Sequence, residues 1–205
     1  MTISFDGQVA IVTGAGGGLG RRHALELAAR GAKVVVNDFG GAVDGSGGSS
    51  AAANAVVAEI EASGGTAMAD GTDVTKLDSV NAMVALVMDA WGRIDVLINN
   101  AGILRDKSFN KMEVADFQVV VDVHLIGSVN CTKAVWAVMR EQNYGRIVMT
   151  TSASGLYGNF GQANYGAAKM GVVGFMNTLV LEGRKNNIFV NTIAPVALTR
   201  RTKEI

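Results

Sequence analysis

Short runs of apolar residues rich in Val and Ile alternate along the chain with longer stretches of helical character. The runs QVAIVTG, AKVVVND, GTAMADG, RIDVLINNAG, GRIVMTTS and NIFVNTIAP read as six strands. Helix-length segments fall between them, near residues 18–30, 49–63, 76–91, 114–141 and 163–184. Strands that are apolar on both faces belong in a parallel sheet with helices on both sides. Right-handed crossovers then predict a doubly wound α/β sheet.

Two segments modify that picture. In YGAAKMGVVGFMNTLVLEG small or apolar residues occupy nearly every helix face, and VVVDVHLIGSVNCTKAVWAVM is similar. A helix apolar all round needs cover on both sides. The sheet is one cover and a second subunit the natural other, so a homodimer or homotetramer is expected. The stretch FGGAVDGSGGSSAAAN, from Phe39, is the one low-complexity segment. Directly after the second strand it reads as a lengthened loop near a ligand crevice, not a domain linker.

Composition narrows the function. A chain of 205 residues, 49% hydrophobic, can bury one good core, so a single domain over residues 1–205 is expected. With 18 basic and 18 acidic residues the formal charge is zero, which gives no footprint for nucleic acid or an anionic membrane. Small molecules are the expected partners. Cys131 has no second cysteine to pair with, which fits a reducing compartment, and no Cys/His cluster has metal-ligand spacing. The N-terminus runs almost directly into a strand, leaving no room for a leader, and no apolar run is expected to reach bilayer-spanning length. The expected setting is soluble and cytoplasmic.

After the first strand comes TGAGGGLGRR, in which Gly14, Gly18 and Gly20 are spaced to turn tightly and aim backbone amides at a diphosphate on a helix N-terminus. Asp38 follows the next strand, where a carboxylate accepts hydrogen bonds from ribose hydroxyls and repels a 2′-phosphate, favouring NAD over NADP. A turn residue before FGG is the plainer reading of Asp38, and Arg21 or Arg22 could in principle reach a 2′-phosphate. Further on, Tyr165 stands four residues before Lys169. On a helix such positions are neighbours, and an ammonium there would bias the phenol toward its anion. That is useful only if Tyr165 moves protons.

Together these motifs resemble the short-chain dehydrogenase/reductase family, a Rossmann fold. TGAGGGLG matches its glycine motif, TDV at 72–74 its adenine-side motif, NNAG at 99–102 its fourth-strand motif, and Tyr165 with Lys169 its YxxxK pair. The resemblance implies cofactor contacts from Gly14, Gly18, Leu19, Gly20, Asp38, Asp73, Val74, Asn100, Ala101, Gly102, Tyr165, Lys169 and Thr199. It implies catalysis by Ser152, thirteen residues before the tyrosine, with Tyr165 and Lys169. Tyr165 would exchange a proton with the substrate oxygen while Ser152 holds that oxygen. Lys169 would hold the nicotinamide ribose and lower the tyrosine pKa. The chain departs from the pattern where His124 replaces a frequent Asn, whose role depends partly on a backbone carbonyl holding a relay water; His124 reads equally as a relay member or a structural residue. Val196 replaces a common Gly, and the chain ends at Ile205, before the family's usual lid helices and seventh, edge strand.

Within the family the resemblance extends to (3R)-hydroxyacyl-CoA dehydrogenase domains of peroxisomal β-oxidation and their bacterial relatives. VVVNDFGG with its long loop, NNAGILRDKSF, VHLIGS, the stretch YGRIVMTTSASGLYGNFGQANYGAAK and LEGRKNNI carry it. This implies NAD-dependent oxidation of a (3R)-hydroxyacyl thioester, and a peroxisomal location if the chain is eukaryotic. The alternatives are an NADPH-linked 3-oxoacyl reductase, a hydroxysteroid dehydrogenase, or a non-catalytic NAD-binding scaffold.

Overall fold

The computed structural model describes residues 3–195. Six parallel strands form one sheet: β1 (Val9–Thr13), β2 (Lys33–Asn37), β3 (Thr66–Asp70), β4 (Val96–Asn99), β5 (Gly145–Thr150) and β6 (Ile188–Ile193). Their order is β3-β2-β1-β4-β5-β6, the doubly wound arrangement the apolar runs predict. Between them run helices α1 (Gly18–Ala29), α2 (Ala51–Ala62), α3 (Leu77–Trp91), α4 (Val114–Val121), α5 (Gly127–Gln142), α6 (Ala153–Tyr157) and α7 (Ala163–Gly183). The short α6 is absent from the sequence reading, because ASGLY is too brief to show a period.

Strand alternation splits the core into two layers. Val9, Ile11, Val35, Leu97, Ile147 and Val190 point to one face, against Val87 of α3, Val135 of α5 and Val172 of α7. Ala10, Val12, Val34, Val36 and Ile98 point to the other, against Ala24 and Leu27 of α1 and Val56 and Ile60 of α2. Sequence order reverses between β1 and β4, the position at which a doubly wound sheet places its crevice. On β5 and β6 the α1 side is partly open: Arg146 stacks 4.1 Å from the Tyr144 ring centroid and 4.6 Å from that of Phe189.

One expectation is corrected on length and composition. A π-helical turn, Asp122–Ile126, joins α4 to α5, giving one helix over Val114–Gln142 of 29 residues whose most apolar window has a mean hydropathy of 1.2. That is enough to cross a bilayer by those measures. The helix is nonetheless a layer of this fold, burying Val120, Cys131, Val135 and Met139 while Lys133 and Arg140 are exposed.

Candidate active site

The crevice is held by polar groups at the strand ends. Thr13 closes β1, and its Oγ1 accepts from the amides of Asn100 and Ala101, both at 3.0 Å. The Asn100 carboxamide returns two bonds, to the carbonyls of Thr13 and Gly14, each at 3.0 Å. Asn37, at the end of β2, donates to Asp70 at 2.7 Å and to the Thr72 carbonyl at 3.0 Å. Sequence reading missed Thr13 and Asn37. Their signal is a single polar residue closing an otherwise apolar run.

The glycine turn fits where side chains do not. Gly14 has a φ of 63°, in the left-handed region, and a Cβ there would lie 2.8 Å from the Ala101 Cα. A Cβ on Gly20 would lie 2.2 Å from the Gly14 carbonyl oxygen. Backbone therefore packs on backbone, and α1 opens directly after the turn. Its first turn, with Gly18, Leu19 and Gly20, presents amides that have no intrahelical acceptor, the geometry that receives a diphosphate.

Asp38 lies across from that turn. Its Oδ2 accepts the Gly16 amide at 2.8 Å and its Oδ1 the Gly40 amide at 2.7 Å, so it is more than a turn residue before FGG. Arg21 makes a two-pronged contact to Glu59 of α2 at 2.7 and 2.5 Å, while Arg22 lines the cleft between α1 and α2. The Gly/Ser-rich stretch forms a loop beside the crevice, as expected, with the Val43 carbonyl accepting from Leu104 and the Asp44 carbonyl from Arg105, both at 2.9 Å. Asp73 accepts from the amide and hydroxyl of Thr75, and Val74, 6% exposed, is held by Asn130 donating to its carbonyl at 2.9 Å.

The residues expected to handle the proton gather at the end of β5. Ser152 caps α6, its Oγ accepting from the Ser154 amide at 3.2 Å. Lys169 is 3% exposed, and its ammonium donates to the carbonyl of Thr150, the last residue of β5. The Thr151 hydroxyl donates to the Lys169 carbonyl at 2.8 Å, sewing the strand end to α7. The ammonium lies 5.6 Å from the centre of the half-buried Tyr165 ring, as the helical spacing predicts. Asn164, fully buried, accepts from the Tyr165 amide at 2.7 Å and donates to the Arg105 carbonyl at 3.0 Å. Asn164 too was missed by sequence reading, because its partner is distant in the chain. His124 is buried edge-on to Tyr165, with ring centroids 5.0 Å apart. Thr199 and Val196 lie outside the described residues.

Among the described residues no group of three or more His, Cys, Asp or Glu could hold a metal ion. The arrangement suits proton transfer at a substrate oxygen beside a cradle for an anionic cofactor.

A family model described as short chain dehydrogenase matches residues 8–204. Mouse (Mus musculus) peroxisomal multifunctional enzyme type 2 is 56% identical over 99% of this chain, which spans 27% of that protein. The structure of the full-length Drosophila melanogaster enzyme of that name superposes with a TM-score of 0.78 at 46% identity, covering 96% of this chain and 32% of that one. The chain thus spans about a third or less of these two relatives. A 7α-hydroxysteroid dehydrogenase solved with NADH and 7-oxo glycochenodeoxycholic acid gives a TM-score of 0.90 at 32% identity, over 98% of this chain and 76% of that one. By motif, fold and match, this chain belongs to the short-chain dehydrogenase family.

Proposed function

We propose that this chain, as one NAD-binding domain over residues 1–205, oxidises the hydroxyl of a (3R)-hydroxyacyl thioester to the 3-oxo compound. The observation that carries the reading is the buried Lys169 ammonium set 5.6 Å from the Tyr165 ring centre at the end of β5. The bound nicotinamide supplies a hydride acceptor for the carbinol carbon. Tyr165, as phenolate, takes the hydroxyl proton, and Ser152 holds the same oxygen by a hydrogen bond. Lys169 would offset the negative charge on the phenolate and would hold the nicotinamide ribose.

The cofactor fits the residues present, since side chains on Gly14 or Gly20 would fill the cradle. NAD is favoured because the Asp38 carboxylate opposes a 2′-phosphate and Glu59 already engages Arg21. The thioester is favoured by the resemblance of VVVNDFGG, NNAGILRDKSF and VHLIGS to (3R)-hydroxyacyl-CoA dehydrogenase domains, and the names of the mouse and fly relatives favour a peroxisomal setting if the chain is eukaryotic. A steroid alcohol is the second reading, favoured by the likeness to the steroid dehydrogenase.

The test follows the near-ultraviolet absorbance of reduced nicotinamide with (3R)- and (3S)-hydroxyacyl-CoA, each with NAD and NADP. Turnover confined to the (3R) isomer with NAD supports the proposal. Preference for NADP points to an NADPH-linked 3-oxoacyl reductase, and cofactor binding with no turnover on any alcohol points to a scaffold. We further propose a homodimer or homotetramer through α5 and α7, the latter exposing the apolar side chains of Met170, Val180 and Leu181. A monomer by light scattering at micromolar concentration would oppose it.

A further inference from the structure

His124 lies in the π-helical turn Asp122–Ile126, where the long helix widens by one residue. Such a turn frees main-chain groups from the helical ladder, and the His124 carbonyl is engaged by the Ser128 hydroxyl at 2.7 Å. The imidazole is 1% exposed and meets the crevice at three points. Its Nε2 lies 3.1 Å from the Ile103 amide nitrogen and 2.8 Å from the Ile103 carbonyl oxygen. Its ring stands at 88° to that of Tyr165. Its Cε1 occupies the space of an absent side chain, since a Cβ on Gly102 would fall 2.1 Å away. Gly102 is not among the positive-φ glycines, so close approach, not backbone freedom, is what requires glycine there.

We propose that His124 is a positioning residue. Its imidazole fixes the separation between the Asn100–Gly102 turn and the Tyr165 phenol, and Gly102 is its steric complement. The seat for the nicotinamide and the group that moves the proton are then gauged by one side chain wedged between them. The inference rests on the dehydrogenase reading for what the phenol does, and on packing alone for the wedge. One ring nitrogen serves the Ile103 N–H or its C=O at a time, according to tautomer. A Gln carboxamide reaches as far as Nε2 and offers a donor and an acceptor, so His124→Gln keeps the anchor to Ile103 while withdrawing the Cε1 that faces Gly102.

The experiment compares the wild type with His124→Ala, His124→Gln, Gly102→Ala and the double variant Gly102→Ala/His124→Gln. NADH affinity is read by fluorescence, kcat and KM with the (3R)-hydroxyacyl thioester, and thermal stability alongside. Loss of the wedge in His124→Ala is expected to lower kcat by about ten- to a hundredfold with KM changed by less than about threefold, and His124→Gln, which keeps the Ile103 anchor without the Cε1 wedge, to recover only part of kcat. Gly102→Ala is expected to weaken NADH binding by about tenfold or more, and the double variant to bind more tightly than Gly102→Ala alone, because the methyl enters the vacated space. The proposal is overturned if His124→Ala lowers only thermal stability, or if the two losses in NADH affinity simply add. If the wild type oxidises no hydroxyacyl thioester, the substrate reading fails, while NADH affinity across the four variants still decides the role of His124.

Discussion

The Asp38 carboxylate and the Gly16 amide are hydrogen-bonded at 2.8 Å, so the residue expected to select the cofactor also tethers the turn expected to cradle it. A Cβ on Gly16 would stand 2.8 Å from that same carboxylate oxygen. The expected choice of cofactor and the shape of the turn are therefore coupled in one side chain.

Replacing Asp38 with Asn removes the charge and keeps the size. Charge-assisted hydrogen bonds contribute about 1.5–3 kcal/mol each, so NAD affinity is expected to fall by about ten- to a hundredfold. NADP affinity should not rise correspondingly, because the glycine turn loosens and Arg21 stays with Glu59. Titration of both cofactors checks this; a clean exchange of NAD for NADP preference would show that the tether is immaterial.

Tyr165→Phe keeps the ring against His124 and removes the hydroxyl. Turnover is expected to drop by about a hundred- to ten-thousandfold, the range for losing a general acid or base, with NADH binding nearly intact. Single-turnover kinetics beside NADH titration separates the effects. Retained turnover would remove Tyr165 from the proton path.

Much of this was legible in the sequence, for definite reasons. The central strands β1, β2 and β4 are apolar on both faces, so runs such as VVVND announce themselves without help from the rest of the chain. The Tyr165 and Lys169 spacing needs only helical geometry. What escaped depends on residues far apart in the chain: Thr13 bonds to Asn100, 87 positions away, and Asn164 to Arg105, 59 positions away. The π-helical turn escaped because DVHLI differs from ordinary helix only in how its backbone bonds are paired. His124 was visible as a departure, but its fit to Gly102 depends on how the long helix packs against the end of β4.

Asp116 joins two basic side chains beside the site, accepting from Lys107 and Arg105 at 2.9 Å each. Those hydrogen bonds, Lys107's first, hold its carboxyl below its ordinary value of 3.8. The folded pKa lies under the unfolded one, so the contribution is fully present above 3.8 and is lost as the pH falls through the folded value. Acid titration of stability should show this loss in the wild type and not in Asp116→Asn, which lacks the contribution at every pH. Parallel acid curves for the two proteins would refute it.

Cys131 is 1% exposed, and burial, with a smaller effect from the Asp70 charge, pushes its thiol up to about 12. Thiolate is the reactive form, so a thiol reagent at mildly alkaline pH should leave the folded protein unlabelled and label one site once it is unfolded. Rapid labelling of the folded protein would contradict the packing of α5 on the sheet.

The join between β1 and β4 is made by a hydroxyl and a carboxamide, those of Thr13 and Asn100, and neither gains or loses a proton in water's ordinary range. The groups proposed to handle protons, Tyr165 and Lys169, belong to a different element, α7. Rigidity and reactivity are thus assigned to separate chemistries. A rise and fall of rate with pH would then report the ionisation of the reacting groups, with this join constant beneath it.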